Sequence, residues 1–279
     1  MKSVAAIQMA SGPNVSANLL EAGRLIRQAA EAGAGLVVLP EMFGMMGYRD
    51  QDALAVAEPF GRGQMQDFSR RIAQECDVWV VAGTIPLRTD NPDKYAAASL
   101  LYNSQGEQLA RYDKIHLFDV KVAEEDQVYT ESQTVMHGHH AEVVDTPFGR
   151  LGMSVCYDLR FPELYRYLMR QGAEIFTVPA AFTEVTGIAH WESLLRARAI
   201  ENLAYVIAPG QGGYHVNGRT TWGHSMVIDY WGRIRGQLNK GAGITLIEID
   251  LDELRATRKT FPVLEHCCPS GTLSADRKD

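Results

Sequence analysis

The chain has 279 residues, and 46% of them are hydrophobic, which is enough to bury a large core within a single α/β domain. Its formal net charge is −7, with acidic and basic residues mixed along the sequence, which argues against a nucleic acid or an anionic membrane as the main partner. The longest apolar stretches, such as 78–82 and 175–181, are as short as strands, so we expect no membrane-spanning helix.

The cysteines and the first residues indicate where the protein works. Four cysteines in a chain of this length, two of them adjacent, do not make a disulfide framework and are typical of a reducing cytoplasm. Residues 1–9 alternate like an opening strand, and their apolar run is too short for a secretory signal. We therefore expect a cytoplasmic protein.

Strands and helices are predicted along the whole chain, without a linker, a repeat or a low-complexity segment. The first part reads as strand 3–9, helix 16–32, strand 35–39, helix 63–75 and strand 78–82. The middle reads as a hairpin of strands 98–102 and 108–112, a polar loop over about 119–138, and strands 141–145 and 151–155. The last part reads as helix 162–171, strand 174–178, helix 188–201, strands 203–208, 224–228, 233–238 and 244–250, and a helix from residue 252. Strands alternating with helices predict a layered α/β fold, and the hairpins predict mixed sheets.

An acidic residue follows directly after the second predicted strand. Pro40 ends that strand because it has no N–H to donate to a ladder, and Glu41 comes next. The apolar run 42–46 follows, so the Glu41 carboxylate is expected to be partly desolvated, as suits a general base. The alternative is that Glu41 simply begins a surface loop.

A lysine after the predicted hairpin has unusual neighbours. Lys114 lies between aromatic and aliphatic residues in the segment 111–118, which is not typical of a lysine that meets only solvent. Without an identified partner, the alternative of a surface lysine stays open.

A cysteine stands where another apolar strand stops. Cys156 follows the strand 151–155, and Pro162 and Glu163 then open a helix. A thiol on such a turn lies at the carboxyl end of a sheet, where open α/β folds build their sites. The helix N-terminus and the N–H groups of the turn would favour a thiolate or an oxyanion. Alternatively, Cys156 is a buried cysteine that only packs.

Glu41, Lys114 and Cys156, each with its flanking residues, together resemble the Glu-Lys-Cys set of the nitrilase, or carbon–nitrogen hydrolase, superfamily, and the resemblance covers nearly the whole chain. Further downstream, four segments resemble the Nit branch of that superfamily: 179–183, 186–192, 196–201 and 222–226. The loop 210–215 is more similar to the deaminated-glutathione amidase group of this branch than to its omega-amidase group.

The resemblance implies a fold and an assembly. The fold is a four-layer α-β-β-α sandwich, formed by one carbon–nitrogen hydrolase domain over residues 1–279. Members of the family pair into homodimers or higher homo-oligomers, and the last ~20 residues are expected to form a tail that packs on a partner subunit.

The residue types then supply a mechanism for an amidase. An amide is inert, and a thiolate nucleophile at Cys156 splits its hydrolysis into acylation and deacylation through a thioester. Glu41 would take the proton of Cys156, pass it to the leaving nitrogen and later activate water. Lys114 and the backbone N–H of Tyr157 would stabilise the oxyanion.

Glu131 matches the second glutamate that this family places between its lysine and its cysteine. It would orient Lys114 or the attacking water. The alternative is that Glu131 is one of several acids in a polar loop that also contains Glu124 and Glu125.

Substrate-binding candidates lie near these residues. Arg160 is four residues past the nucleophile on the same turn, where it could hold an α-keto-acid carboxylate in a bidentate manner. The alternative is a salt bridge from Arg160 to Asp158 or Glu163. Further pocket candidates are Phe182 and Thr186, which flank the pocket in Nit relatives, and Tyr48, which follows the Glu41 loop.

Other motifs do not support a site. Residues 152–155 begin like a serine-hydrolase elbow, but Ser154 lies inside the strand. The histidines of 137–140 and the His-Cys-Cys of 266–268 lack metal-ligand spacing, and the glycines 210, 212 and 213 do not form a dinucleotide motif. We expect no metal and no cofactor. We interpret three further histidines as structural: His116, His190 and His224.

The leading hypothesis is a cysteine-dependent amidase that acts on a small molecule in metabolite repair. By resemblance, it would hydrolyse deaminated glutathione to 2-oxoglutarate and Cys-Gly. The alternatives are an omega-amidase acting on 2-oxoglutaramate, a carbamoylase or a nitrilase. A non-catalytic scaffold of the same fold is a different kind of alternative, and the intact Glu41, Lys114 and Cys156 argue against it.

Overall fold

The computed structural model describes residues 2–122 and 127–266. Its strands are β1 (Lys2–Gln8), β2 (Leu36–Val38), β3 (Trp79–Arg88), β4 (Tyr95–Tyr102), β5 (Gln108–Asp113), β6 (Asp119–Val122), β7 (Gln127–Thr130), β8 (Val135–Met136), β9 (Glu142–Thr146), β10 (Gly149–Met153), β11 (Ile175–Thr177), β12 (Tyr205–Ala208), β13 (Gly212–Tyr214), β14 (Thr220–Trp222), β15 (Met226–Ile228), β16 (Ile234–Gln237) and β17 (Gly243–Ile249). Its α-helices are α1 (Val15–Glu31), α2 (Asp52–Ala55), α3 (Gln64–Cys76), α4 (Pro162–Arg170), α5 (Glu184–Thr186), α6 (Glu192–Asn202) and α7 (Leu251–Thr260).

Two mixed sheets form the centre of the molecule. The first sheet has the order β17-β1-β2-β3-β4-β5, with β8 beside β4, and the second has the order β16-β15-β12-β11-β10-β9. In each sheet the middle strands run parallel and the outer pairs are antiparallel, except that β8 runs parallel to β4. The prediction of mixed sheets is therefore confirmed.

Side chains that alternate along the strands build two cores. Val4 and Ala6 of β1 belong to a core that also contains Leu151 and Met153 of the second sheet, so the two sheets pack face to face. Ala5 and Ile7 of β1 point to the opposite side, where they share a core with buried residues of α1 and α3. On the far side of the second sheet, α4 and α6 pack against its outer face. The resulting order of layers is the predicted α-β-β-α sandwich.

The helix ends follow from their sequences. The Asn14 side chain caps α1 by accepting a hydrogen bond from the N–H of Ala17, and Asp250 caps α7 by accepting one from the N–H of Glu253. Pro162 occupies the first turn of α4, where its missing N–H costs nothing.

Two hairpins lie where the sequence predicted no strands. Residues 119–122 and 127–130 pair as β6 and β7 within the segment predicted to be a polar loop, and β13 pairs with β14. Both hairpins are short: the alternation of polar and apolar residues in β6 lasts only four residues, and β13 begins with two glycines, so neither sequence gave a strong strand signal. The helix predicted over 188–201 begins earlier, as α5 and a π-helical turn that lead into α6.

In the part of the chain that the structure describes, no helix has both the length and the apolar character needed to cross a membrane. The predicted C-terminal tail falls mostly on residues 267–279, and Glu124 and Glu125 fall in 123–126. All of these lie outside the described residues.

Candidate active site

The three residues of the predicted catalytic set come together at one edge of the two sheets. Glu41 follows β2 and Lys114 follows β5, two strands that run in the same direction in the first sheet. Cys156 follows β10 in the second sheet, which packs on the first. All three side chains are buried. The sandwich thus brings together groups that are far apart in the sequence.

Lys114 is held between two carboxylates. Its Nζ lies 2.8 Å from Oε1 of Glu41 and 2.7 and 2.9 Å from the two carboxylate oxygens of Glu131. Burial by itself lowers the pKa of Lys114, but the negative charges of Glu131 and Glu41 outweigh it and raise that pKa well above its ordinary value. Lys114 is therefore a cation held in place by two partners, Glu41 and Glu131, neither of which could be identified as its partner from the residues around Lys114 alone.

Glu131 is anchored on two sides. Besides contacting Lys114, its Oε2 accepts a hydrogen bond of 2.6 Å from the backbone N–H of Phe118. Burial raises the pKa of the Glu131 carboxyl, and the positive charge of Lys114 acts in the opposite direction. This geometry favours the first of the two predicted roles, the orientation of Lys114.

Glu41 lies beside both Lys114 and Cys156. Its Oε2 accepts a hydrogen bond of 2.9 Å from the N–H of Ala181, and its negative charge acts on the Cys156 thiol. The backbone before Glu41 runs unusually close to β3, because a Cβ on Gly83 would lie only 1.9 Å from the carbonyl oxygen of Pro40. The absence of a side chain at Gly83 therefore sets the position of Glu41.

Cys156 occupies a strained turn. Its φ is +46°, in the left-handed region that non-glycine residues rarely adopt, and its N–H donates to the carbonyl oxygen of Pro179 at 2.9 Å. Burial raises the pKa of the Cys156 thiol well above its ordinary value. The charge of Glu41 adds to this rise, while Lys114 opposes it. Burial and Glu41 therefore favour the neutral thiol, and they act against the helix N-terminus, which favours a thiolate.

Tyr157 lies in the first turn of the 3-10 helix Cys156–Arg160, where N–H groups have no acceptor within the helix. Its N–H is therefore available to an oxyanion formed next to Cys156. The role of this N–H stays a prediction.

A cleft of about 670 Å³, including its solvent-open mouth, gives access to these groups. The predicted residues Phe182 and Thr186 line it, whereas Arg160 and Tyr48 are not part of its wall. The wall is formed by Glu41, Met42, Asp50, Tyr95, Lys114, Phe118, Tyr129, Thr130, Glu131, Thr134, Cys156, Tyr157, Ala181, Phe182, Thr183, Thr186 and Arg219.

Arg160 lies beside the cleft. Its Nη1 is 3.3 Å from Nδ1 of His190, and its guanidinium carbon lies 5.4 Å from the ring centroid of Phe182. Within the described residues, Arg160 forms no salt bridge with Asp158 or Glu163, the two alternative partners. Tyr48 is 63% exposed. The substrate-binding roles of Arg160 and Tyr48 remain predictions.

The residues interpreted as structural have structural contacts. His116 stacks on Phe161, and its Nδ1 lies 2.7 Å from the buried carboxylate of Asp158. His224 stacks on the Trp222 ring. Ser154 is fully buried, with its hydroxyl hydrogen-bonded to Tyr165 and to the Thr177 carbonyl. Among the described residues, no group of three or more His, Cys, Asp or Glu is placed to hold a metal ion.

Several residues of the cleft wall were missed in the sequence. Tyr129 and Thr130 lie on β7 directly before Glu131, and this adjacency was the available signal. Arg219 comes from the turn before β14, and nothing in its own sequence neighbourhood marks it. Asp50 and Tyr95 complete the set on the side of the first sheet.

Comparison with known proteins places this geometry in context. The carbon–nitrogen hydrolase family model matches residues 3–259. Deaminated glutathione amidase of Yersinia enterocolitica is 45% identical over 268 residues, which cover 94% of this chain and 92% of that protein. The human deaminated glutathione amidase is 40% identical, over 95% of this chain and 82% of that protein.

Solved structures agree with the sequence relatives. The crystal structure of the Caenorhabditis elegans NitFhit protein matches with a TM-score of 0.90 at 35% identity, over 98% of this chain and 66% of that one. Saccharomyces cerevisiae Nit3, described as a member of branch 10 of the nitrilase superfamily, matches with a TM-score of 0.83 at 31% identity, over 94% of both chains.

Proposed function

The chain belongs to the carbon–nitrogen hydrolase family and is an amidase, and we propose that it hydrolyses deaminated glutathione to 2-oxoglutarate and Cys-Gly. The observation that carries this proposal is that Glu41, Lys114 and Cys156 line one cleft, with Glu41 hydrogen-bonded to Lys114. This arrangement combines a base, a cation and a nucleophile, which are the groups that amide hydrolysis requires. The relatives named for deaminated glutathione support the choice of substrate.

In the acylation step, the Cys156 sulfur attacks the amide carbon while Glu41 takes the thiol proton. Because burial raises the pKa of the Cys156 thiol, we infer that this proton transfer accompanies the attack. The C–N bond then breaks, and Glu41 gives the proton to the leaving nitrogen. The amine departs and leaves an acyl group bound to Cys156 as a thioester.

The oxyanion of each tetrahedral intermediate needs a positive partner. Lys114 supplies a full charge that Glu131 holds in place, so little reorganisation is needed when the oxyanion forms. We assign the N–H of Tyr157 as the second donor. In deacylation, Glu41 takes a proton from water, the hydroxide oxygen attacks the thioester carbon, and the proton returns to the sulfur.

The direct test compares kcat/KM for deaminated glutathione with kcat/KM for 2-oxoglutaramate. The proposal expects a large preference for deaminated glutathione. A preference for 2-oxoglutaramate would instead identify an omega-amidase, and activity on neither would reject both substrates. Cys156→Ala serves as the inactive blank, and Cys76→Ala, which removes the other free thiol of the described residues, serves as its matched control.

A second measurement tests the covalent step. Rapid acid quenching of a single turnover should leave a 2-oxoglutaryl adduct on Cys156, detectable by peptide mass spectrometry. A burst of amine release without such an adduct would reject the thioester. A scaffold protein of this fold would show neither an adduct nor turnover.

We also propose the setting in which the enzyme works. The two sheets share one core, which supports a single domain. Trp231 and Phe261 are each about half exposed and contact each other, which supports a homo-oligomer that covers them. The free thiols Cys76 and Cys156 support a cytoplasmic location. Light scattering coupled to size-exclusion chromatography measures the oligomeric state directly.

A further inference from the structure

The cleft contains a second cation that the mechanism does not use. Lys114 is paired with two carboxylates, whereas Arg219 forms no salt bridge with any described residue. Its Nη2 donates to the carbonyl oxygen of Ala181 at 3.1 Å, and its guanidinium carbon lies 5.2 Å from the ring centroid of Tyr129. An arginine in a cleft wall with only these partners keeps donors free for an anion.

One of these donors is buried. Within the described residues, Nε of Arg219 is inaccessible to solvent and has no hydrogen-bond partner. A buried N–H on a charged group is costly when it is left unpaired, so this position of Arg219 needs a physical reason. A carboxylate in the cleft supplies one, because it can accept hydrogen bonds from the terminal nitrogens of the guanidinium group and offset the cost of holding the charge there.

The backbone that carries Arg219 is fixed. Its carbonyl oxygen accepts from the N–H of His215 at 2.8 Å, and its N–H donates to the side chain of Asn217 at 3.0 Å. Asn217 in turn donates to the carbonyl oxygen of Gly47, at 3.1 Å. The guanidinium is therefore presented from a closed turn that is tied to the Glu41 loop.

The contacts of Ala181 indicate how far the Arg219 guanidinium lies from Glu41. Its carbonyl oxygen contacts Arg219, and its N–H contacts Glu41, so a single residue separates the guanidinium from the catalytic base. In a 2-oxoglutaryl amide, three carbon atoms lie between the amide carbon and the acyl carboxylate. In deaminated glutathione, the glycine carboxylate is separated from the same carbon by five atoms. The shorter spacing fits a cation that is one residue away.

We propose that Arg219 binds the carboxylate of the substrate's acyl portion and thereby selects amides whose acyl chain ends in a carboxylate a few carbons from the scissile bond. This inference rests on the proposed amidase function of the same cleft. It gives to Arg219 the role that the sequence analysis gave to Arg160. It also defines the substrate class by the acyl group, which deaminated glutathione and 2-oxoglutaramate share.

The test uses two amides that differ only in the carboxylate, glutaramate and pentanamide, and the variants Arg219→Met and Arg219→Lys. Loss of a charged hydrogen-bonding partner should lower kcat/KM for glutaramate by roughly 10- to 100-fold in Arg219→Met, and less in Arg219→Lys. Pentanamide should be cleaved within about twofold of the wild-type rate. Arg24→Met, on the exposed face of α1, controls for the loss of a surface arginine.

An equal loss on both amides would assign Arg219 a structural role and overturn the proposal. A loss confined to N-pentanoylglycine, whose carboxylate lies in the leaving group, would overturn the acyl-side assignment. If Arg160→Ala shows the selective loss and Arg219→Met does not, Arg160 is the anion-binding residue.

A binding measurement keeps this inference separate from the choice of substrate. In a Cys76→Ala background, glutarate should slow the alkylation of Cys156 by iodoacetamide, and Arg219→Met should require at least about tenfold more glutarate for the same protection. Equal protection in both proteins, or none in the wild type, would refute the role of Arg219. If the wild type cleaves neither deaminated glutathione nor 2-oxoglutaramate, the proposed function fails while this protection measurement still decides the role of Arg219.

Discussion

Gly83→Ala should separate the position of Glu41, the proposed catalytic base, from the stability of the fold. Gly83 lies in β3 with a φ of +26°, and a Cβ there would lie 1.9 Å from the carbonyl oxygen of Pro40 and 2.7 Å from its carbon. Real Cβ atoms essentially never approach other atoms closer than 3.0 Å. The Pro40 backbone or β3 must therefore move by at least about 1 Å to accommodate one methyl group.

That movement acts on the next residue, Glu41. Its carboxylate holds contacts of 2.8 Å to Lys114 and 2.9 Å to the N–H of Ala181, and a shift of about 1 Å breaks or lengthens both. A misplacement of this size in a catalytic group costs about 10²-fold in rate. Overpacking should cost about 1–3 kcal/mol of the free energy of unfolding, which is less than the total stability of a typical domain.

The assay is kcat/KM on the amide that the wild type cleaves best, with the thermal midpoint measured on the same preparations. Gly12→Ala is the matched control, because a Cβ on Gly12 meets no atom within 4 Å. Gly138→Ala repeats the perturbation at the cation, since a Cβ there would lie 2.0 Å from the carbonyl oxygen of Asp113, next to Lys114. A folded Gly83→Ala enzyme with kcat/KM within about threefold of wild type would show that a shift of the Pro40 backbone does not displace the Glu41 carboxylate.

Three further predictions concern charge and protonation. Glu131→Gln should lower kcat by roughly 10- to 100-fold and leave the thermal midpoint within a few degrees of the wild-type value. The reason is that Lys114 keeps its contact with Glu41 but loses its second carboxylate partner. An unchanged kcat would show that Glu131 has no role in the reaction. Because the pKa of the Cys156 thiol is raised well above its ordinary value, kcat/KM should stay flat between about pH 7 and 9; a tenfold rise per pH unit there would indicate attack by a free thiolate. Burial lowers the pKa of His215 below 6.5 in the folded state, so the unfolded chain binds more protons as the pH falls below 6.5, and the free energy of unfolding should decrease there by up to about 1.4 kcal/mol per pH unit. Urea unfolding of wild type and His215→Gln at several pH values checks this, and an identical pH dependence in both would contradict it.

The sequence predicted the parts of the site that local pattern determines. Glu41 and Cys156 each follow a short apolar strand that ends at a recognisable stop, so their place at a sheet edge could be inferred from a few neighbouring residues. The role of Lys114 is harder to infer from the sequence, because it depends on the contacts of Lys114 with Glu131 and Glu41. Only the folded structure brings these residues within hydrogen-bonding distance.

The rest depends on contacts between distant segments. A glycine within a strand, such as Gly83, indicates at most a bulge. The actual reason for a glycine here is that the backbone of Pro40, after the neighbouring strand, passes too close to leave room for a side chain. Tyr129 and Arg219 come from two hairpins whose strands, of three or four residues each, are too short to be recognised from the sequence. The contact between the two side chains exists only after both hairpins have docked at the cleft. The position of Arg160 four residues after Cys156, together with the resemblance to the Nit branch, predicts Arg160 as the anion-binding residue, and that role is not tested by the fold. Arg219 is brought to the cleft wall only by folding, so its sequence position gives no such signal.

The charges of the cleft give an independent reason for a cation at Arg219. The cleft wall contains three carboxyl groups, those of Glu41, Asp50 and Glu131, but only two basic side chains, Lys114 and Arg219. At an effective dielectric constant of about 20, one unbalanced negative charge repels a substrate carboxylate about 6 Å away by roughly 3 kcal/mol. An amidase for anionic acyl groups must offset this repulsion within the cleft, and among the residues of its wall only Arg219 carries a positive charge that no carboxylate of the described residues already holds. Arg219→Met should therefore raise the KM for glutaramate for two reasons, because it removes an attraction and leaves the repulsion unopposed. Adding Glu131→Gln to Arg219→Met removes one carboxylate, so it should lower that KM part of the way back towards the wild-type value while kcat stays low.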